Sequence, residues 1–154
     1  PANSPFPSHE GIHWHERGLP RTNMHWEVDP GGLTTLLERV WHDYAKDAGT
    51  TLYVTENGAA YDDVLVGEGS DARVHDVDRV AFLRGHLGAI LAAAEAGVDV
   101  RGYFYWSLLD NFEWAWGYTQ TFGIVHVDFE TQRRTPKASF GTYRDLVAAA
   151  RDRA

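Results

Sequence analysis

Two glutamates stand where their surroundings could make them reactive. Glu56 ends the run Leu52-Tyr53-Val54-Thr55-Glu56-Asn57-Gly58, in which an apolar stretch stops on a carboxylate and an amide. Glu113 falls in Trp106-Ser107-Leu108-Leu109-Asp110-Asn111-Phe112-Glu113-Trp114, with Trp116 just beyond. Both stretches follow strand-like runs, and in parallel α/β folds ligands bind at the carboxyl ends of strands. A glutamate on such a rim can act as nucleophile, general base or metal ligand; taken alone it is more often solvated or salt-bridged. The tryptophans favour a functional role. Sugars have apolar C–H faces and hydroxyl edges, so their sites need flat aromatics together with carboxylates or amides. Trp106, Glu113, Trp114 and Trp116 supply both types within eleven residues. Ordinary core packing is the competing account of the aromatics, and it suits Tyr103, Phe104 and Tyr105. A buried, unpaired Glu113 would be costly without a hydrogen-bonding partner.

The elements that must hold these residues follow from periodicity. Residues 1–29 carry prolines at 1, 5, 7 and 20 and no sustained period, and read as mostly loop. Leu33, Leu36, Leu37, Val40, Trp41 and Tyr44 recur at helical spacing up to Gly49. Thr51–Thr55 reads as a short strand buried on both faces. A loop through Gly67, Gly69 and Ser70 precedes a second helix, Val74–Ala96, which Gly97 ends. Its expected apolar stripe is Val77, Val80, Ala81, Leu87, Ile90 and Leu91. Val98–Leu109 is again strand-like, Phe122–Phe129 reads as an extended segment from its alternation, and Pro136 is expected to open the last helix. Helix, strand, helix, strand, helix predicts α/β with parallel crossovers. A (β/α)₈ barrel takes about 31 residues per unit, so two strands cannot close one. The expectation is one partial domain over residues 1–154, the C-terminal segment of a larger barrel.

Composition narrows the partners. The chain has 154 residues, 44% hydrophobic and 23% charged, with 13% aromatics and six tryptophans. A formal charge of −8 argues against nucleic acid or an anionic membrane surface. Without cysteine there is no disulfide framework and no thiolate metal site. No apolar run reaches the roughly 18–20 residues of a membrane span. The sequence begins at Pro1 with no signal-peptide pattern, so a missing natural start and a cytoplasmic location are the expectations. His9-Glu10-Gly11-Ile12-His13 matches the zinc pattern H-E-x-x-H, but that pattern needs a helix, and this one sits in a Pro-rich stretch with Gly11 at its centre. His15 nearby does not rescue it. Asp62, Asp63 and Glu68 fit no calcium loop and read as solvated.

In order and at fitting spacing, these stretches resemble glycoside hydrolase family 1, the retaining β-glucosidases and β-galactosidases. The resemblance is carried by Tyr53-Val54-Thr55-Glu56-Asn57-Gly58, by Tyr105 to Trp114, by Gly117-Tyr118 and by Phe122 to Asp128. Pro20-Arg21-Thr22, Met24, Trp26-Glu27-Val28 and Arg134 to Ser139 extend it over nearly the whole chain. The resemblance implies a position in the last quarter to third of the family's barrel: the loop after strand six, then units seven and eight. It implies Glu56 as catalytic nucleophile and Glu113 and Trp114 as ligands of sugar hydroxyls. Trp106 would stack in that subsite, Phe122 would line it, and Trp26 would form the aglycone platform. It implies a β-glucoside or short β-linked oligosaccharide as substrate, and no metal or organic cofactor.

The departures set a limit. The family's acid/base lies in Thr-x-Asn-Glu-Pro, and no Asn-Glu-Pro occurs here. His25 stands where glycine is usual, and Gln120-Thr121 where basic residues are usual. Two expectations follow: part of a β-glycosidase whose proton donor comes from an upstream barrel segment, in the same precursor or in a second chain, or an inactive fragment that only binds sugar or associates with other chains.

Overall fold

The computed structural model describes residues 15–151, and His9, Glu10 and His13 of the zinc-like pattern lie outside them. Helix α1 spans Pro30–Val40. Asp29 starts it by accepting a hydrogen bond from the Gly32 amide at 3.0 Å, and Pro30 occupies the first turn. One π turn, Trp41–Ala45, leads to the short α2, Lys46–Ala48. Gly49 ends the run at φ 64°, a left-handed conformation that costs glycine little. Strand β1 is Leu52–Asn57. A hairpin of two-residue strands follows, β2 (Leu65–Val66) with β3 (Arg73–Val74), then α3, Val77–Glu95. Strand β4, Val100–Tyr105, pairs parallel with β1, placing Tyr53 opposite Gly102 and Asn57 opposite Tyr105. An antiparallel pair, β5 (Val125–Val127) and β6 (Arg134–Pro136), precedes α4, Ala138–Arg151.

The core lies between α1, α3 and one face of the β1–β4 sheet. Leu37, Ile90, Ala93 and Val98 form it, with Leu33, Trp41, Leu52, Val54, Leu87, Val100 and Tyr103 packed around them. The other sheet face is open. Tyr53 is 54% exposed and Phe104 57%, so β1 is not buried on both faces as its apolar run predicts. The helices cover one side of a parallel pair, and no described element covers the other.

The structure corrects four further expectations. Val74 belongs to β3, and α3 begins at Val77. The face α3 buries is not the apolar stripe: Val77, Ala81 and Leu91 are exposed, while Arg79, Phe82, Leu83 and His86 are buried together with Ile90. Two buried polar side chains with separate partners, Arg79 and His86, rotate the buried face away from the one hydropathy selects. Pro136 closes β6 instead of opening a helix. Finally, Asp63 is not solvated, since its side chain is 2% exposed and pairs with Arg79 and Lys137.

That pairing belongs to a buried polar network. Arg79 donates through Nη1 to Asp63 at 2.8 Å and to Asp76 at 2.6 Å, and through Nη2 to the Thr121 carbonyl at 2.6 Å. Asp76 accepts from the backbone and hydroxyl of Ser139. Lys137 joins Asp63 to Asp110. Burial pushes the Asp63 carboxyl up, but the Arg79 hydrogen bonds and the charges of Arg79 and Lys137 outweigh it and hold it below the usual carboxylate range. Burial pushes His86 down, against a hydrogen bond with the Phe82 carbonyl at 2.9 Å.

Both shifts make acid destabilising. A histidine with a depressed folded pKa, like a carboxylate with a depressed one, binds fewer protons folded than unfolded, so stability rises with pH. Urea unfolding followed against pH should therefore show two acid limbs. The first starts near the ordinary histidine value of about 6.5 and should vanish in His86→Phe. The second starts near the ordinary aspartate value of about 4 and should shrink in Asp63→Asn, the remainder coming from Glu27, Asp29 and Asp128, which are also held below the usual carboxylate range.

Candidate functional site

Glu56 and Asn57 are the last two residues of β1. The Trp106 amide donates to the Asn57 carbonyl at 3.0 Å, bringing the ends of β1 and β4 together. The Tyr103 hydroxyl donates to the Asn57 side chain at 3.0 Å; burial pushes that phenol well above its usual range, so it stays a donor. Gly58 comes next, and a Cβ there would lie 1.7 Å from the Trp106 carbonyl oxygen. Only glycine allows the chain to leave β1 so close to β4. The Trp106–Ser107 peptide is cis.

Beyond Trp106 the chain is stitched to the Phe122 segment. Ser107 donates its amide to Phe122 at 3.4 Å, and its carbonyl accepts from Ile124 at 3.0 Å. Its hydroxyl donates to the Leu109 carbonyl at 2.8 Å and accepts from Asn111 at 3.0 Å. Glu113 enters a single tight turn, Trp114–Trp116, closed by its amide donating to Gly117 at 2.7 Å. Trp114, at φ 42°, projects from this turn and is 84% exposed. Glu113 is half-buried, so it reaches solvent and does not require the protein partner that full burial would demand.

Trp26 arrives from the opposite side. Its loop is closed by Thr22 donating to Trp26 at 3.0 Å and Val28 to Pro20 at 2.8 Å, and His25 turns it at φ 61°. Asn23 ties the loop to the segment after Glu56, donating its amide to Ala60 at 3.0 Å and its side chain to Asp62 at 2.6 Å. The Trp26 ring lies 6.1 Å from that of Phe122, which is 3% exposed.

All six residues singled out from the sequence, Trp26, Glu56, Trp106, Glu113, Trp114 and Phe122, line one cleft of about 440 Å³. Thr22, Glu27, Asn57, Gly58, Phe82 and His86 complete its wall. The sequence reading missed Phe82 and His86, because the apolar stripe it drew on α3 ran through Val77, Val80, Ala81, Leu87, Ile90 and Leu91 and left both residues out. Glu27 was quoted only as part of a motif. Its carboxylate accepts from the Arg17 amide at 2.8 Å and from Arg17 Nε at 3.0 Å, and these bonds hold it below the usual carboxylate range. Glu27 is therefore ionised and already paired, while Glu56 stands exposed at the rim. Carboxylates set between aromatic faces in one cleft suit a polyhydroxyl ligand.

A parallel β/α segment with this cleft at its strand ends is the rim of a (β/α)₈ barrel carrying an acidic, aromatic site. The chain belongs to Glycosyl hydrolase family 1, which matches residues 4–151. It is 48% identical over 132 residues to beta-glucosidase A of Thermotoga maritima, covering 86% of this chain and 28% of that protein. It is 47% identical over 146 residues to the bifunctional beta-D-glucosidase/beta-D-fucosidase of Bifidobacterium breve, covering 94% and 31%. Among solved structures, the psychrophilic beta-glucosidase of Micrococcus antarcticus superposes with a TM-score of 0.81 at 53% identity, over 87% of this chain and 28% of that one. The T. maritima relative has been solved in complex with deoxynojirimycin. The chain thus spans under a third of the length of these relatives.

The Gly58 contact yields a direct check. Gly58→Ala must push β1 and β4 apart at the rim, and overpacking of this kind costs about 1–3 kcal/mol. Urea denaturation should show that loss, whereas Gly88→Ala on α3, where a Cβ meets nothing within 4 Å, should be neutral or stabilising.

Proposed function

We propose that this chain supplies the nucleophile and part of the sugar subsite of a retaining β-glycosidase acting on terminal β-D-glucosyl residues. The observation that carries the reading is the convergence of Glu56, Glu113, Trp106, Trp114, Trp26 and Phe122 on one cleft at the carboxyl ends of two parallel strands. Glu56 attacks the anomeric carbon as the glycosidic bond breaks, and a carboxylic acid about 5–5.5 Å away protonates the leaving oxygen. Water, deprotonated by that same group, then attacks the glycosyl-enzyme ester and releases Glu56. Glu113 and Trp114 bind sugar hydroxyls, the carboxylate accepting and the indole N–H donating; Trp106 stacks in that subsite, Phe122 lines it, and Trp26 forms the platform toward the leaving group. The proton donor belongs to an upstream barrel segment, which would also cover the open sheet face bearing Tyr53 and Phe104. Similarity to beta-glucosidases, one of them solved with deoxynojirimycin, supports a β-glucoside as substrate.

The competing reading is a binder without turnover, favoured by the openness of that face. Fusing the upstream part of the T. maritima relative ahead of this chain separates the two. The fusion should hydrolyse an aryl β-glucoside, and Glu56→Gln should lower kcat by about 10³-fold or more. The 154-residue chain alone should give no enzymatic rate. Turnover by the chain alone, lost in Glu56→Gln, would overturn the assignment of the proton donor to another segment. A folded fusion that binds the glucoside without cleaving it would favour the binder.

A further inference from the structure

Lys137 lies between β6 and α4, its side chain 0% exposed. Its ammonium donates to Asp63 and, at 2.8 Å, to Asp110 Oδ1. Asp63 sits in the loop that leaves β1 after Glu56, and Asp110 lies three residues ahead of Glu113. One cation therefore joins the loop that follows Glu56 to the loop that carries Glu113. The Phe122 segment is drawn to the same point: Asp110 accepts from the Gly123 amide at 2.9 Å and the Val127 amide at 3.3 Å. The approach is close, since a Cβ on Gly123 would fall 2.2 Å from the Asp110 nitrogen. Burying an ammonium between carboxylates is a poor way to gain stability, because apolar packing of similar volume serves as well. It does fix direction, since charged hydrogen bonds hold their partners to a narrow geometry.

We propose that Lys137 is a positioning residue that fixes the Glu56 loop, the Glu113–Trp114 loop and the Phe122 segment relative to one another. The proposal rests on reading the cleft as a sugar site. It predicts that losing Lys137 misplaces the cleft even where stability is restored.

The test uses three variants. Lys137→Met removes the cation. Lys137→Met with Asp110→Asn removes the cation and the carboxylate charge together, leaving an amide oxygen for Gly123. Ile90→Val loosens the α1–α3 core and serves as the stability control. With 5-fluorotryptophan incorporated, the fluorine lines of Trp106 and Trp114 should shift or broaden in both Lys137 variants, with melting temperature largely recovered in the double variant. In Ile90→Val those two lines should stay in place. In the barrel fusion the double variant should lower kcat by about 10- to 100-fold with KM within about threefold, the pattern of a misplaced reacting group. Unmoved Trp106 and Trp114 lines and wild-type kcat in the double variant would overturn the proposal. A fusion inactive with Lys137 in place would instead count against the sugar-site reading, and the fluorine spectra would still decide whether Lys137 sets the loops.

Discussion

The buried ionic contacts around Arg79 are the constraint on which the rest of the molecule depends. The sheet has two strands, and the residues that reach the cleft lie mainly on the loops beyond them. Loops cannot rely on a ladder of backbone hydrogen bonds for their place, so something else must set them. Arg79 spends its donors on the carbonyls of Ala59, Tyr61 and Thr121 and on the carboxylates of Asp63 and Asp76. These groups belong to the loop after β1, the start of α3 and the segment before Phe122. Thr121 adds a second tie, its hydroxyl donating to the Tyr61 carbonyl at 2.8 Å. Two cations, Arg79 and Lys137, face three carboxylates, Asp63, Asp76 and Asp110. Removing Arg79 would leave Asp76, and removing Lys137 would leave Asp110, in low dielectric without its basic partner, which costs about 3–5 kcal/mol. The loops are thus held by geometry that tolerates little slack.

The same arrangement explains why α3 has so weak an apolar pattern. It faces two kinds of neighbour along its length. Toward its C-terminal half Ile90 and Ala93 pack against α1 and the sheet. Toward its N-terminus Arg79 enters the ionic network, while Phe82 and His86 stack at 3.8 Å beside the cleft. A helix serving core, network and cleft in turn does not present one continuous stripe. Its single hydrophobic signature is diluted by Arg79 and His86, whose burial is possible only because partners satisfy them.

This is also where the sequence ran out. The helices and the two parallel strands were legible from periodicity and from Gly49 and Gly97, because local spacing and stop signals act within a few residues. The cleft residues were legible because Glu56 and the Trp106–Trp116 stretch are chemically unusual for strand ends. Lys137, Asp110 and Asp63 were not. Asp63 and Lys137 stand 74 residues apart, and nothing in a run such as Tyr61-Asp62-Asp63 distinguishes the aspartate that turns inward from its exposed neighbour. The open sheet face was misread for the opposite reason: a continuous apolar run describes a strand meant for burial on both sides, whatever covers it. Val77 and Leu91 on α3 are exposed although their side chains are apolar, so hydrophobicity alone could not rank the faces.

That open face bears on the chemistry as well as the packing. On the proposed mechanism, retaining hydrolysis needs one carboxyl ionised for attack and one kept protonated for donation, and the two states require different surroundings. Cations and amide donors favour the ionised form; enclosure in apolar surroundings favours the protonated one. The cleft provides the first kind at Glu27, which Arg17 holds ionised. On the same proposal, the segment that brings the proton donor would also supply its enclosing wall and cover Tyr53 and Phe104, which here meet solvent. Whatever segment covers that face would exclude water, strengthen the electrostatics of the cleft and create the surroundings a proton donor requires. On the proposed mechanism, completion of the barrel and completion of the catalytic pair would be, in physical terms, the same event.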